Sequence, residues 1–295
     1  PQQLQIKKEI VTDLLLRSQD QQLRDALPLI AEPLAAPQEF GYRQRIRLQV
    51  DKGIVGFHRF QSHSLLPIQA CLLAPAILNQ ALAALKASAD GRKLTALATA
   101  VELQENPLSG KTIMVVQTAR RPRPADIQAT LRFIQDHREV ERIFFVGDQF
   151  SLMGPYGEPQ EMAGGNVLGV DYAAIPGLDR TLQLRWEAGG FCQVNLRQNQ
   201  SLVATVLDFC RAEKGRTILD LYCGMGNFSL PLAMKGAEVL GIEGQGSAVR
   251  SAKNNRVLAG LDNAEFQQSP IDTACSELVA NGRRFDCLVI DPPRD

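Results

Sequence analysis

The segment Leu219–Ser229 constrains the fold of this chain more than any other. Its apolar strand ends in Asp220 and runs into a turn that contains Gly224 and Gly226, and a helix follows at once. In α/β proteins this strand–turn–helix order forms a nucleotide crevice at the carboxyl end of the sheet. The two glycines have no Cβ, so the loop backbone can approach a ligand closely. We therefore predict a nucleotide-type site after this strand.

Two further residues restrict the ligand. Ser229 stands where the dinucleotide fingerprint requires its third glycine, which disfavours NAD and FAD. The next predicted strand ends in Glu243, about 20 residues after Asp220, where a carboxylate can accept hydrogen bonds from both hydroxyls of a ribose. The alternative is an ordinary β–α turn with an incidental glutamate.

A second motif follows the last predicted strand. Asp291 comes directly after the apolar residues 287–290 and precedes Pro292, Pro293 and Arg294. The two prolines fix φ and stiffen the loop, while the aspartate offers an acceptor to the edge of a planar substrate. The alternative is a proline-rich exit from a strand.

A third motif is the segment Phe191–Asn195. Gln193 and Asn195 carry amides that both donate and accept hydrogen bonds, as recognition of a base or an amino-acid moiety requires. Without further context, a polar cluster at the start of a helix is the better interpretation of this segment.

The order of elements predicts two domains and a leading helix. Strand and helix alternate from residue 217 onward, which is typical of a parallel sheet covered by helices. Before it, a period-two strand, a hairpin and mixed elements predict an α+β domain. The ranges are 1–20 for the helix, which we expect to pack on the catalytic domain, 38–185 for the α+β domain and 186–295 for the α/β domain.

Composition excludes some classes of protein. The formal net charge is +0, so nucleic-acid binding would need a local basic patch. No apolar run is long enough to span a bilayer, and the six cysteines form no C-x-x-C pair. We expect reduced thiols in a cytoplasmic protein that does not bind membranes.

Local basic patches do occur. Arg43, Arg45 and Arg47 share one face of the predicted strand 42–50, and Arg121 lies in an Arg-Arg-Pro-Arg run. Such side chains are candidates for contacts to RNA phosphates. The alternative is solvated surface charge.

The ordered motifs resemble those of the RNA uracil-5-methyltransferase family. The resemblance rests on Phe-Cys-Gln-Val-Asn at 191–195, Leu-Asp-Leu-Tyr-Cys-Gly-Met-Gly-Asn-Phe-Ser at 219–229, Ile-Glu-Gly at 242–244 and Asp-Pro-Pro-Arg at 291–294. Tyr-Arg-Gln-Arg at 42–45 and Ile-Gln-Ala-Cys-Leu-Leu at 68–73 resemble the central domain of the family. This resemblance implies a Rossmann-like class I methyltransferase domain with a doubly wound parallel sheet, here incomplete, after a central α+β RNA-binding domain.

The resemblance also implies roles for matching residues. S-adenosylmethionine would be bound by Asp220, Tyr222, Gly224, Gly226, Asn227 and Glu243. Gln193 and Asp291 would contact the cofactor region or the flipped uracil. Cys71 matches the fourth ligand of a [4Fe–4S] cluster that many members carry, but the other three ligands would lie before Pro1. We therefore expect Cys71 to be a free thiol in this chain.

The implied reaction needs two further groups. In the family a cysteine thiolate adds to C6 of uracil, which makes C5 nucleophilic, and a glutamate later removes the C5 proton. Both lie downstream of the Asp-Pro-Pro-Arg segment, so we expect them beyond residue 295. We expect this chain alone to bind S-adenosylmethionine without forming the covalent RNA adduct, with ribosomal RNA favoured over transfer RNA, and to be monomeric.

Two alternatives remain open. The first is a methyltransferase for another RNA position or an amino group, although Arg294 stands where loops for exocyclic amines carry an aromatic residue. The second is a catalytically silent RNA-binding protein that keeps the fold.

Overall fold

The computed structural model describes residues 2–157 and 166–293. The chain divides into two compact units, residues 1–39 and 40–295. Arg294, which the sequence singled out, lies outside the described residues.

The first unit is helical. It contains α1 (Gln2–Arg17), α2 (Gln21–Asp25) and a 3-10 turn at Leu27–Leu29. Lys8 of α1 pairs with Glu32 inside this unit. The predicted N-terminal helix is confirmed, while its packing on the catalytic domain stays a prediction.

The second unit begins with a mixed sheet and its helices. Its elements are β1 (Arg45–Asp51), β2 (Ile54–His58), β3 (Leu65–Pro67), α3 (Ala76–Ala87), α4 (Ala89–Leu97), β4 (Ala98–Asn106), β5 (Lys111–Thr118), α5 (Pro124–Asp136), β6 (Val140–Gly147) and β7 (Phe150–Gly157). The strand order is β3-β2-β1-β4-β5-β6-β7, and within it β5 and β6 are parallel. The predicted α+β architecture of this region is confirmed.

The sequence did not predict β4, which lies at the centre of this sheet. Its sequence follows α4 without a glycine or proline, and it carries the buried polar residues Glu102, Gln104 and Asn106. Polar residues at buried positions hide the apolar pattern by which a central strand is recognised. The first strand also begins later than predicted, at Arg45, so Arg43 precedes it.

The rest of the second unit is the α/β part. Its elements are β8 (Val167–Tyr172), β9 (Leu182–Glu187), α6 (Leu196–Cys210), β10 (Thr217–Leu221), α7 (Ser229–Met234), β11 (Glu238–Glu243), α8 (Gly246–Leu258), β12 (Ala264–Gln268), α9 (Ile271–Ala280) and β13 (Cys287–Ile290). Strands β10 to β13 form a parallel sheet in the order β12-β11-β10-β13. Strands and helices alternate along this part of the chain, as predicted from residue 217 onward.

Both faces of the parallel sheet are covered. Ile218 and Val239 face a core that contains residues of α6, α7 and α8, whereas Leu219 and Leu240 face Ala274 of α9. Successive residues of a strand point to opposite faces, so this division follows from the alternation itself. The sheet is therefore doubly wound, as predicted.

The antiparallel hairpin β8–β9 packs in the same core as the parallel sheet. Leu168, Leu184 and Trp186 are buried together with Leu207 and Phe266. The boundary that the sequence suggested, between residues 185 and 186, runs through β9.

The strand order reverses beside β10. From β10 the chain moves outward to β11 and β12, and it then crosses back to place β13 on the other side of β10. In open α/β sheets ligands bind at such a switch point, beyond the carboxyl ends of the two strands. The loops that meet there follow Leu221 and Ile290, which pair in the sheet.

Candidate functional site

Asp220 is the most deeply buried of the predicted cofactor-binding residues. It is fully buried, and its Oδ2 accepts a hydrogen bond of 2.5 Å from the hydroxyl of Ser229. Burial raises the pKa of the Asp220 carboxyl to about 7, against the hydrogen bonds from Ser229, and the charges of Asp291 and Glu243 raise it further. Ser229 stands where a dinucleotide fingerprint has its third glycine, and here its hydroxyl holds the Asp220 side chain by a hydrogen bond.

The two glycines of the loop differ in their surroundings. Gly224 has φ +56°, and a Cβ added to it would meet no atom within 4 Å. Gly226 has φ +92°, and its added Cβ would lie 3.0 Å from Leu230 and 3.3 Å from Phe266. Gly224 thus faces open space, which keeps the backbone accessible to a ligand, whereas Gly226 serves the packing of the loop.

Glu243 lies at the end of β11, beside the loop. Its Oε2 accepts a hydrogen bond of 3.1 Å from the backbone N–H of Gly224, and its Oε1 accepts one of 2.7 Å from Gln245. A carboxylate oxygen can accept two hydrogen bonds, so each oxygen retains acceptor capacity for a ligand. These contacts fix the carboxylate against the glycine loop.

Asn227 forms a buried pair with Asn199 of α6. The amide of Asn227 donates to Asn199 at 2.9 Å and accepts from it at 2.8 Å, and Asn199 also donates to the Tyr172 hydroxyl at 3.0 Å. The side chain of Asn227 thereby ties the loop to α6 and β8.

Asn255 of α8 is a positioning residue that sequence reasoning missed. Its buried amide donates to the carbonyl of Met225 in the loop at 3.1 Å. It also accepts from the N–H of Arg185 at 2.8 Å and donates to the carbonyl of the same residue at 2.9 Å. A buried asparagine within a helix was the one available signal, because such an amide must find partners.

Asp291 and Tyr222 follow the paired residues Ile290 and Leu221 at the switch point. Asp291 is exposed, and its charge acts on Asp220. Tyr222 is half-buried and has φ 60°, an uncommon conformation for a residue with a side chain. The structure thus brings both predicted residues to the same edge as Asp220 and Gly224.

The segment 189–195 links β9 to α6 and contacts residues at the start of β1 in the mixed sheet. The guanidinium of Arg45 donates to the carbonyl of Gly190 at 2.7 Å, and the N–H of Gln44 donates to the carbonyl of Val194 at 2.9 Å. Asn195 caps α6 by accepting from Gln198 at 3.1 Å, so the reading as a polar helix start is confirmed for that residue. Gln193 is half-buried and lies in the chain between Gly190 and Val194, the two residues whose carbonyls accept these hydrogen bonds from Arg45 and Gln44.

A cleft of about 300 Å³ lies beside this segment. Arg47 and Gln117 line it from the mixed sheet, Gly190 from the connecting segment, and Gln245 and Ser247 from the chain just after Glu243. Phe191 is next to Gly190 and is 66% exposed. The cleft therefore joins the mixed sheet to the region beside the glycine loop.

The four candidate arginines have different surroundings. Arg45 pairs with the buried Glu102 at 2.8 Å in addition to its bond to Gly190. Arg43, Arg47 and Arg121 are exposed; Arg47 donates to Gln117 at 2.5 Å, and Arg121 lies 3.4 Å from the sulfur of Met153. Arg45 thus holds two parts of the molecule together, whereas the other three present charge to solvent.

The cysteines near the crevice are buried. Burial raises the pKa of the Cys192 thiol to about 11, and burial also raises the pKa of the Cys223 thiol. A thiol attacks as its thiolate, so both are poor nucleophiles at neutral pH. All six cysteines of the chain are free thiols.

Cys71 does not meet a set of metal-binding side chains. Within residues 2–157 and 166–293, no group of three or more His, Cys, Asp or Glu side chains is arranged to hold a metal ion. The described residues therefore do not supply an iron–sulfur site around Cys71. Over the same ranges, no helix combines the length and the apolar character that a membrane crossing requires.

The doubly wound sheet and the glycine loop at its switch point define the fold of the class I S-adenosylmethionine-dependent methyltransferases. The tRNA (uracil-54, C5)-methyltransferase of Pyrococcus abyssi, solved with S-adenosyl-L-homocysteine, superposes with a TM-score of 0.66 at 21% identity, over 96% of this chain and 68% of that one.

Residues 170–289 match the family model described as tRNA (Uracil-5-)-methyltransferase. The 23S rRNA (uracil(1939)-C(5))-methyltransferase RlmD of Pseudomonas aeruginosa is 32% identical over 90% of this chain and 56% of its own length. RlmD of Shewanella amazonensis is 28% identical over 100% of this chain and 62% of its own length. The chain is thus similar to RNA uracil-5-methyltransferases, and it spans about three fifths of the length of the curated relatives it matches.

Proposed function

We propose that this chain binds S-adenosylmethionine in the crevice after β10 and presents its methyl group to C5 of a uridine in RNA. The observation that carries the proposal is the open approach to Gly224 at the switch point, with the Glu243 carboxylate fixed beside it. S-adenosylmethionine supplies an electrophilic methyl group on a sulfonium ion.

The residues of the crevice fit the parts of this cofactor. Glu243 would accept hydrogen bonds from the ribose hydroxyls with the acceptor capacity left on its two oxygens. The bare backbone of Gly224 leaves room for the cofactor to lie against the loop. The Asp291 carboxylate, and Asp220 in its ionised fraction, would favour the positively charged methionine end.

The cleft fits an RNA strand. A base inside folded RNA must leave its stack to reach a buried cofactor. The exposed ring of Phe191 offers a surface on which a base can stack, and Arg47 offers a cation to a phosphate. We propose that Gln193 and Asp291 then hold the edge of the uracil, and that Arg43 and Arg121 add phosphate contacts.

Methyl transfer to C5 also needs a thiolate that adds to C6 and a base that removes the C5 proton. Cys192 and Cys223, the cysteines beside the crevice, are buried and have raised pKa values. We therefore propose that this chain by itself holds the methyl donor but does not form the covalent adduct with RNA.

Titration calorimetry with S-adenosylmethionine tests the first part. In Gly224→Ala, the new Cβ enters the space proposed for the cofactor, so we expect affinity to fall at least tenfold, by about 1.4 kcal/mol. Gly110→Ala is the matched control, because Gly110 has φ +67° and equally open surroundings in the turn between β4 and β5. Both variants carry the same backbone strain, so equal affinities in the two would contradict the proposed site.

Two RNA experiments test the second part. The chain is incubated with S-adenosylmethionine and RNA containing 5-fluorouracil, which traps the covalent intermediate. A stable adduct on the 295-residue chain would refute the proposal that this chain by itself does not form the covalent bond to RNA. We propose ribosomal RNA as the substrate, because the relatives from Pseudomonas aeruginosa and Shewanella amazonensis are 23S rRNA methyltransferases. A longer protein that contains this chain, assayed on separated RNA fractions, should methylate ribosomal RNA, and exclusive methylation of transfer RNA would contradict this.

A further inference from the structure

Two cysteines from distant parts of the chain meet at the amino end of the parallel sheet. Cys210 is the last residue of α6 and Cys287 is the first residue of β13. Their Sγ atoms lie 3.2 Å apart, and both are free thiols. The proposed methyl transfer uses neither of them.

The backbone holds both thiols in place. Cys287 pairs with Ile218 of β10, and the preceding residue, Asp286, accepts hydrogen bonds from the N–H of Thr217 at 2.7 Å and its hydroxyl at 3.0 Å. Cys210 is one of the residues by which α6 packs into the core. The pair is thus positioned by a helix end on one side and by a sheet ladder on the other.

The exposure of the two thiols differs. Cys287 is half-buried and offers a route for a small reagent, whereas Cys210 is buried. A disulfide needs about 2.05 Å between its sulfur atoms, so the pair would have to close by about 1.1 Å. Small rotations of the two side chains can supply a movement of that size.

We propose that Cys210 and Cys287 are a modification site that forms an intramolecular disulfide by exchange with a small-molecule disulfide such as oxidised glutathione. The Cys287 thiolate attacks the reagent, forms a mixed disulfide and releases one glutathione thiolate. The Cys210 thiol then loses its proton, attacks the Cys287 sulfur and releases the second. Two protein thiols are oxidised, one glutathione disulfide is reduced, and two protons leave.

The second step sets the pH dependence of the exchange. Once Cys287 is part of the mixed disulfide, burial still raises the pKa of the Cys210 thiol; the charge of Asp220 raises it further and that of Arg216 lowers it. The thiolate fraction therefore grows with pH throughout the range in which the protein is handled, and closure should accelerate as pH rises.

The bond would enclose most of the cofactor site. Strands β10, β11 and β12, the glycine loop and Glu243 all lie between residues 210 and 287. A cross-link that closes a long loop stabilises the folded state mainly by restricting the unfolded chain. The link would lie at the amino ends of the strands, away from the crevice, so it should leave cofactor affinity unchanged.

The test treats the full chain with oxidised glutathione under native conditions. We expect the loss of two of its six thiols, a mass decrease equal to two hydrogen atoms, and a non-reducing peptide map that joins the peptides of Cys210 and Cys287. The melting temperature should rise by about 5 °C or more and return on reduction.

Matched variants separate this pair from the other cysteines. Cys210→Ser and Cys287→Ser should each abolish the bond and the rise in melting temperature, whereas Cys275→Ser, at another half-buried cysteine, should keep both. The proposal would be overturned if all six thiols stayed free in a glutathione buffer that is oxidising enough to convert dithiothreitol to its disulfide. A map that joins any other pair would overturn it as well. Neither outcome depends on whether the chain transfers methyl groups.

Discussion

Asp220 shows how a residue of the proposed cofactor site can weaken the fold. Its carboxyl is fully buried, and the hydrogen bond from Ser229 only partly offsets the loss of water. The folded state therefore favours the protonated form, which is why the pKa of Asp220 rises to about 7 from the ordinary 3.8. At neutral pH this residue costs stability that a neutral side chain would not.

The pH dependence of stability should show this cost. Between pH 4 and pH 7 the folded state binds more protons at Asp220 than the unfolded state does, so its contribution to the free energy of unfolding falls as pH rises through this range. The raised pKa corresponds to at most about 4 kcal/mol at pH 8. In Asp220→Asn we expect this part of the decline to disappear in urea unfolding measured from pH 4 to pH 8. An identical pH profile in the variant and the parent chain would contradict the buried, protonated state.

At the scale of elements, two asparagines hold the glycine loop against the hairpin behind it. Asn199 connects the loop residue Asn227 to Tyr172 of β8, and Asn255 connects Met225 to both backbone groups of Arg185 in β9. The glycine loop is therefore positioned by residues of α6 and α8 and by a hairpin outside the parallel sheet.

Asn255→Ala should disturb this support. The change leaves the Met225 carbonyl and both backbone groups of Arg185 without their partner, and we expect the free energy of unfolding to fall by about 2–4 kcal/mol. Affinity for S-adenosylmethionine should fall too, because the loop loses its anchor. Asn254→Ala, at an exposed position on the same helix, is the control and should change stability by less than about 0.5 kcal/mol. Equal stability of the two variants would show that the Asn255 contacts contribute little.

At the scale of the whole second unit, the cleft between the mixed sheet and the glycine-loop region depends on two arginines with different roles. Arg45 bridges the buried Glu102 and the Gly190 carbonyl, while Arg47, two residues later on the same face, is exposed in the cleft. One arginine sets the position of the connecting segment, and the other is available to a ligand.

The two arginines should therefore respond differently to substitution. In Arg47→Ala we expect weaker RNA binding, a salt slope reduced by about 1 and an unchanged melting temperature. In Arg45→Ala the buried Glu102 loses its partner, and the free energy of unfolding should fall by about 3 kcal/mol. RNA affinity is measured over a series of salt concentrations and stability by urea unfolding. A salt slope that stays the same in Arg47→Ala would argue against a phosphate contact.

The sequence predicted the α/β part well because local patterns determine it. Strands β10, β11 and β13 are short and largely apolar, and glycines or polar residues separate them from the neighbouring helices. It predicted the mixed sheet less completely, because β4 carries Glu102, Gln104 and Asn106 at buried positions. Those side chains find partners in Arg45, Cys192 and Glu141, which lie far away in sequence.

The sequence by itself determined the strand–glycine loop–helix motif, the acidic residue at the end of the next strand and the family resemblance. Each depends on residues that are neighbours in the chain, where glycine and the alternation of apolar residues act locally. Only the tertiary structure decided that Arg45 is a structural ion pair, that Asn199 and Asn255 hold the loop, and that Cys210 meets Cys287. Long-range contacts of this kind follow from how strands and helices pack, and no local pattern specifies which polar side chains packing will bring together.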